Sequence, residues 1–491
     1  MQTSRSNSQK FGWNFDHSYT KLPPEFFVRQ LPTKVKQPRL VLFNQRLANM
    51  LGLDSDALLN SDGEAIFGGN QIAEGADPIA QAYAGHQFGH FNMLGDGRAI
   101  LLGEHITPLN ERYDIQLKGA GITPYSRRGD GRAALGPMLR EYIISEAMAA
   151  LGIPSTLSLA VVSTGEPVYR EHVLPGAILT RVASSHIRVG TFQFASARLG
   201  PDGVKTIADY AINRHYPECA AADNPYLLFL NTVIDKQATL IAKWMSIGFI
   251  HGVMNTDNMS IAGETIDYGP CAFMDSYHQA TVFSSIDQLG RYAFGNQPNM
   301  AQWNLARFAE TLLPILSPKP NLAIQMAEEA LHGFSINVKR YWLSLMIKKI
   351  GLLSEQAGDL TLVDDLLLIM ENEQLDYTNT FRQISHGIEQ ASSISKSQAF
   401  LSWHQRWKIR LNHQPEPLQS AIALMHASNP KIIPRNHQVE RALQAAETGD
   451  FSLTERLIQV TSQPFSSEAI EETYLSPAPL SDPPYKTFCG T

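Results

Sequence analysis

The sequence predicts an α+β protein of two lobes, the first rich in strands around one strong helix, the second mainly helical. Three observations predict it. Alternating, β-branched segments crowd residues 81–180, and helical periods dominate beyond about residue 205. At 491 residues the chain exceeds one simple domain. A hydrophobic content of 44% against 18% charged residues is that of a globular chain, which excludes a disordered or fibrous one.

Residues 1–80 mix short apolar runs with Pro and Gly, as in KLPPEFFVRQLP, and read as an N-terminal extension packed on the core. Within 81–180, strands are expected at AILLGEHI (99–106), YDIQLKGAG (113–121), TLSLAVVSTGEPVYRE (156–171) and GAILTRVAS (176–184). A turn is expected at Thr164-Gly165. One helix interrupts the strands: GPMLREYIISEAMAALGIP carries Pro137 in its first turn and stops at Gly152-x-Pro154. Residues 181–430 form the mainly helical lobe, with helical periods in 226–249, 299–316 and 362–375. Residues 431–491 read as C-terminal helices followed by a Pro-rich tail containing Cys489. A strand-rich lobe with one helix, then a helical lobe, is the order of a protein-kinase-like fold.

Several function classes are excluded at this level. A net charge of −7 argues against a broad nucleic-acid surface. No apolar run approaches the roughly 20 residues that span a bilayer. The opening MQTSRSNSQKFGWNF has no apolar signal core, and three cysteines make no disulfide framework. A cytoplasmic monomer that binds neither nucleic acid nor membrane is expected.

The most specific stretch is HGVMNTDNMSIAGETIDYGPCAFMD, residues 251–275. A kinase catalytic loop reads H-R-D-x-x-x-x-N and is followed by D-F-G; its first Asp accepts a proton while the Asn and second Asp hold Mg²⁺. Here His251, Asn258 and Asp267-Tyr268-Gly269 take those places, but Val253 stands where the proton acceptor belongs. Asp257 is the only nearby carboxylate that could replace it. Asn258 and Asp267 are hard oxygen donors of the kind Mg²⁺ takes beside nucleotide phosphates.

Other residues suit the phosphates. Gly95-Asp96-Gly97-Arg98 is either an ordinary hairpin turn or a turn whose free N–H groups approach phosphate oxygens. Lys118 ends an alternating strand about twenty residues later, where a kinase keeps its phosphate-gripping lysine; a solvent-facing edge lysine fits equally. Its carboxylate partner would come from the helix, and periodicity from Met138 favours Glu146 over Glu141. Arg127, Arg128 and Arg132, with Gly129 and Gly131, form either an anion site or a solvated basic loop. Arg181 and Arg188 flank a short polar segment after an apolar strand, and burial there would demand an anionic partner. His86 and His90 have the spacing of zinc ligands on a helix, but Gly85 and Gly89 disfavour one, so structural histidines are expected. The Pro-bounded loop 429–437 offers polar groups to another surface without specifying chemistry. Cys489 on the tail could bond to Cys271, or both could remain thiols.

Together AYAGHQFGHFNMLGDGRA, QLKGAGITPYSRRGDGRAALGPMLREYIISEAMAALGIPS, residues 251–275 and NPKIIPRNHQVERAL resemble the selenoprotein O family, also called the YdiU family. The resemblance covers nearly the whole chain. It implies a protein-kinase-like (pseudokinase) fold without the usual catalytic Asp. It also implies AMP transfer from ATP to hydroxyl side chains of proteins, with the nucleotide bound in a flipped orientation. On this resemblance ATP falls on Gly95, Gly97, Arg98, Lys118, Asp130, Gly131, Arg181, Arg188 and Asp267. Asp257 becomes the proton acceptor, and Asn258 and Asp267 hold Mg²⁺ or Mn²⁺. The resemblance pairs Lys118 with Glu141, against the helical wheel; we follow it because the phase of the helix rests on pattern alone. Members named for selenium carry selenocysteine near the C-terminus, where this chain has Cys489. Two alternatives stay open: a kinase using Asp257 as base, and a non-enzymatic ATP-binding scaffold.

Overall fold

The computed structural model describes residues 11–386, 388, 394–479 and 487. Strands and helices are both abundant, and one large antiparallel sheet organises the first part of the chain. Its strands are β1 Phe15–Asp16, β2 Phe27–Arg29, β3 Arg39–Phe43, β4 Ile79–Gln87, β5 His90–Gly95, β6 Ala99–Ile106, β7 Arg112–Lys118, β8 Ala133–Ala134, β9 Leu157–Tyr169 and β10 Val173–Ala183. The order across the sheet is β2-β4-β6-β7-β10-β9-β3; β1 pairs with β6, β5 with β4 and β8 with β10. Three strands therefore come from the N-terminal 80 residues, so that segment is woven into the sheet as well as packed on it.

The sheet is buried on both faces, because successive side chains point to opposite sides. Ile100, Leu102, Ile115, Leu117, Ile178 and Val182 pack against α1 Gln45–Leu51, α2 Ser55–Leu58 and α3 Ser61–Phe67. Leu101, Ala177 and Leu179 face the other way, toward α4 Leu135–Ala150 and the helical part. That part opens with α5 Val189–His215, kinked where Gly200 takes a φ of 67° before Pro201, and continues through α6 Pro225–Ile247, α7 Gln297–Leu316 and α8 Pro320–Lys349. Gly248, at a φ of 72°, ends α6 and turns the chain into the short strand Phe249–Ile250 and His251. Among the described residues no helix is long and apolar enough to cross a membrane.

The turn expected at Thr164-Gly165 is not a turn. Residues 157–169 form one strand, and Gly165, at a φ of 71°, accompanies a register shift against β10. A bulge uses glycine's left-handed freedom without reversing the chain; the reversal comes later, where Arg170 N–H donates to His172 O at 3.0 Å.

A buried ion network ties the sheet to the first long helix. Asp114 on β7 accepts from His186 N at 2.9 Å and His186 Nδ1 at 3.0 Å, and from Arg214 Nη2 of α5 at 2.6 Å. Burial alone would raise the Asp114 pKa, but Arg214 and His186 overcome it and hold it at about 2. This carboxylate pins the segment that presents Arg188. The stability it contributes is complete above its unfolded pKa of 3.8 and is lost as pH falls through about 2. Asp114→Asn should therefore lower stability at pH 7 by on the order of 2 kcal/mol. In urea melts, the gap from wild type should stay constant from pH 7 to 5 and close toward pH 2.

Candidate active site

Strand register sets the first group of side chains. Gln116 and Lys118 share one face of β7, and Arg181 of β10 lies opposite Gln116 on that face. α4 crosses this face and brings Glu141 to both cations. Lys118 Nζ sits 2.5 Å from Glu141 Oε2, and Arg181 Nε donates to Glu141 Oε1 at 2.7 Å. Glu146, which the helical wheel favoured, instead meets Arg46 at 3.4 Å. The wheel misleads because 12 of the 16 residues of α4 are buried, leaving little polar face to set the phase.

Asp267 holds the other side of the cluster. It adopts a φ of 63°, a left-handed conformation uncommon for a residue with a Cβ and more often found at functional sites. Its Oδ1 accepts from Arg181 Nη2 at 2.7 Å and lies 3.7 Å from Lys118 Nζ. Its Oδ2 accepts from Arg188 Nη1 at 2.5 Å and Asn258 Nδ2 at 3.3 Å. Burial opposes ionisation, yet Arg188, Arg181 and Lys118 hold this carboxyl well below the usual range. Burial, aided by Arg181, lowers the Lys118 pKa although Glu141 pulls it up. Arg188, just before α5, also donates to Asp257 O at 2.7 Å and lies 4.8 Å over the Tyr83 ring.

Asp257 occupies the single turn Thr256–Asn258 and is 8% exposed. Burial pushes its pKa up to about 6 against the pull of Arg188. Its Oδ1 is buried with no hydrogen-bond partner among the described residues. A carboxylate with few donors and a pKa near neutrality can take up a proton near neutral pH. Val253, at the position a kinase gives its base, lines the same cavity and has no group to titrate.

All eleven residues expected at the nucleotide and metal site converge on one cavity of about 550 Å³. The turn Gly95–Arg98, the loop residues Asp130 and Gly131, and Asp257, Asn258 and Asp267 line it together with Lys118, Arg181 and Arg188. Two glycines are needed for packing. A Cβ at Gly95 would lie 2.3 Å from the Tyr125 ring, and one at Gly131 would lie 2.1 Å from Gly121 O. Asp130 is clasped by both terminal nitrogens of Arg170, at 2.8 and 3.0 Å. Of the three loop arginines, Arg132 is spent on Thr33 O and Lys34 O, each at 3.1 Å, while Arg127 and Arg128 stay exposed.

Asn258 and Asp267 are neighbours, the Asn258 amide N–H donating to Asp267 Oδ2; the oxygens that their side chains carry are of the hard kind that suits a divalent cation sharing its shell with phosphates. Among the described residues, no group of three or more His, Cys, Asp or Glu could hold a metal unaided. His86 and His90 lie on a hairpin, and His86 Nδ1 meets Gln193 Nε2 at 2.7 Å. The polar groups of loop 429–437 reach other parts of this chain: Arg435 is buried, paired with Asp275 and, at 2.8 Å, with Asp376. Cys271 is buried, and its neighbour Pro270 accepts from Thr487 Oγ1 at 2.8 Å; Cys489 lies outside the described residues. Tyr83, Gln87 and Asp96 also line the cavity and were not expected there. The flanking glycines were the only sequence signal for Asp96, whose pKa burial raises to about 6.

Fold and site define an α+β protein with a cleft in which the buried cations Lys118, Arg181 and Arg188 stand near Asp257, one oxygen of which has no partner among the described residues. The family described as protein adenylyltransferase SelO matches residues 10–462, and the chain belongs to it. A protein nucleotidyltransferase YdiU of Syntrophotalea carbinolica is 56% identical over 492 residues, covering 100% of both chains. Proteins of the same name from Bacillus cytotoxicus (56% identical; 99% of each chain) and Geobacillus kaustophilus (57%; 98% of this chain, 99% of that one) are also similar.

Glu141→Gln keeps the shape of the cluster but leaves Lys118 and Arg181 with Asp267 as their remaining carboxylate. Stability should fall by on the order of 3 kcal/mol, and ATP affinity by about tenfold through the displaced cations. Thermal melts and calorimetric titration read the two effects separately.

Proposed function

We propose that the protein is an adenylyltransferase that moves AMP from ATP onto Ser, Thr or Tyr hydroxyls of target proteins and releases pyrophosphate. The observation that carries this reading is the displacement of the proton acceptor. Among the described residues, the cleft carboxylate with a buried, unpartnered oxygen is Asp257, and residue 253 is a valine, while the Lys118–Glu141 pair and the Asn258–Asp267 contact support a kinase-like arrangement. The fold is read as a two-lobed, protein-kinase-like one. The order of sheet, single crossing helix and helical part supports that reading, as does the lysine–glutamate pair between β7 and α4.

In this mechanism the triphosphate enters with its γ end among Lys118, Arg181 and Arg188, where buried guanidinium groups match phosphate oxygens. Gly95, Gly97, Arg98 and Gly131 border its path. The α-phosphate then faces Asp257. The acceptor hydroxyl attacks the α-phosphorus and gives its proton to the Asp257 carboxylate; the bond to the β-phosphate oxygen breaks and pyrophosphate departs. The arginines stabilise the charge gathering on the leaving group without having to move. A divalent cation, Mg²⁺ or Mn²⁺, held by Asn258 and Asp267 would offset the same charge. UTP could replace ATP in the same cleft. Cys271 and Cys489 are proposed as a redox pair between site and tail; the Thr487 bond to Pro270 O supports the approach of that part of the tail.

Transfer from ATP labelled at the α- or γ-phosphate to proteins of a cell lysate tests the reading. Label should come from α-ATP only and vanish with Asp267→Ala. Asp257→Ala should slow transfer by roughly 10²–10⁴-fold while keeping nucleotide binding within about threefold. Label from γ-ATP would instead make the protein a kinase with a relocated base.

A further inference from the structure

The hairpin motif around Gly85-His86-Gln87-Phe88 is absorbed by none of the roles above, yet it touches three consecutive residues of the turn that carries Asp257. His86 N–H donates to Thr256 Oγ1 at 2.7 Å, and Phe88 N–H donates to Asn255 Oδ1 at 3.0 Å. Thr256 Oγ1 donates onward to Gln193 Oε1 at 2.6 Å, and Tyr292 OH reaches the same Asn255 oxygen at 2.6 Å. The side chain of Gln87 lies in hydrogen-bonding reach of the Asp257 carboxylate.

Gly85 sits at the centre of this junction. A Cβ built on it would lie 2.4 Å from Asp257 Oδ1, 2.9 Å from its Cγ and 3.0 Å from its Cβ. Those are the three nearest atoms, and all belong to one side chain. Gly85 has an ordinary strand φ, so backbone freedom is not why it is glycine. The space above its Cα is taken by Asp257.

We propose that Gly85 is the positioning residue of the reaction: its bare Cα sets the depth of the Asp257 carboxylate in the cleft, and no side chain at position 85 is compatible with that placement. The proposal rests on Asp257 being the proton acceptor. It explains why β4 runs directly over the base turn and why Oδ1 is sealed from water with no donor. His86 and Phe88 also hold Thr256 and Asn255, so the backbone of the turn that presents Asp257 is fixed against the hairpin.

The test is a cycle of Gly85→Ala and Asp257→Gly in the full chain, read by melting temperature, ATP-analogue affinity and AMP transfer. Gly85→Ala alone should lower the melting temperature by about 5 °C, the usual scale of an overpacked contact. In the Asp257→Gly background, where the three clashing atoms are gone, the same substitution should cost almost nothing. Transfer by Gly85→Ala should fall by about 10²-fold, with ATP-analogue affinity within about twofold of wild type. Equal melting losses in both backgrounds, or wild-type transfer by Gly85→Ala, would overturn the proposal. The melting cycle does not depend on catalysis. Full activity of Asp257→Gly together with a closed stability cycle would therefore refute the base assignment and leave the packing constraint standing.

Discussion

The structure depends on one ionic constraint: three buried cations, Lys118, Arg181 and Arg188, share two carboxylates, Glu141 and Asp267. Charges removed from water must be paired, and the pairs must be held in good geometry to repay their desolvation. Each partner comes from a different element: β7, β10, the start of α5, α4 and the loop after His251. The cluster therefore fixes how the sheet, its crossing helix and the helical part meet. With one more positive charge than negative among these five groups, it is also left wanting an anion.

That surplus links architecture to chemistry. Under the proposed function a triphosphate would supply the missing negative charge, and the groups proposed to bind it already stand in place, so little reorganisation would remain for the reacting step. Asp257 is the counterpart. Its carbonyl is bonded to Arg188, while its buried Oδ1 has no hydrogen-bond partner among the described residues. One carboxylate surrounded by cations and one buried with an unpartnered oxygen, a short distance apart along the chain, end with opposite pKa shifts. Environments that push two acids apart in this way separate a charge-holding role from a proton-accepting one.

Much of this was legible in the sequence where local rules decide. The strand 99–106 and the lysine ending β7 followed from alternation, and the helix after Pro137 from periodicity and its stop signal. Local rules failed where a residue's role was set across the chain. The choice between Glu141 and Glu146 was lost to a helix buried on nearly every side, and Gly165 looked like a turn because a bulge uses the same residue. The partners of Arg435 in loop 429–437, Asp275 and Asp376, could not be read from the sequence because they lie far away in it. Gly85 carried no readable signal at all. A glycine whose only reason is a distant side chain cannot be told from one in a simple hairpin until the two segments meet in space.

The most direct measurement of the central claim is a crystal structure with a non-hydrolysable ATP analogue and a divalent cation. The account predicts the γ-phosphate against Lys118, Arg181 and Arg188, with the α-phosphate facing Asp257. A γ-phosphate facing Asp257, with the adenosine end buried toward the arginines, would contradict it.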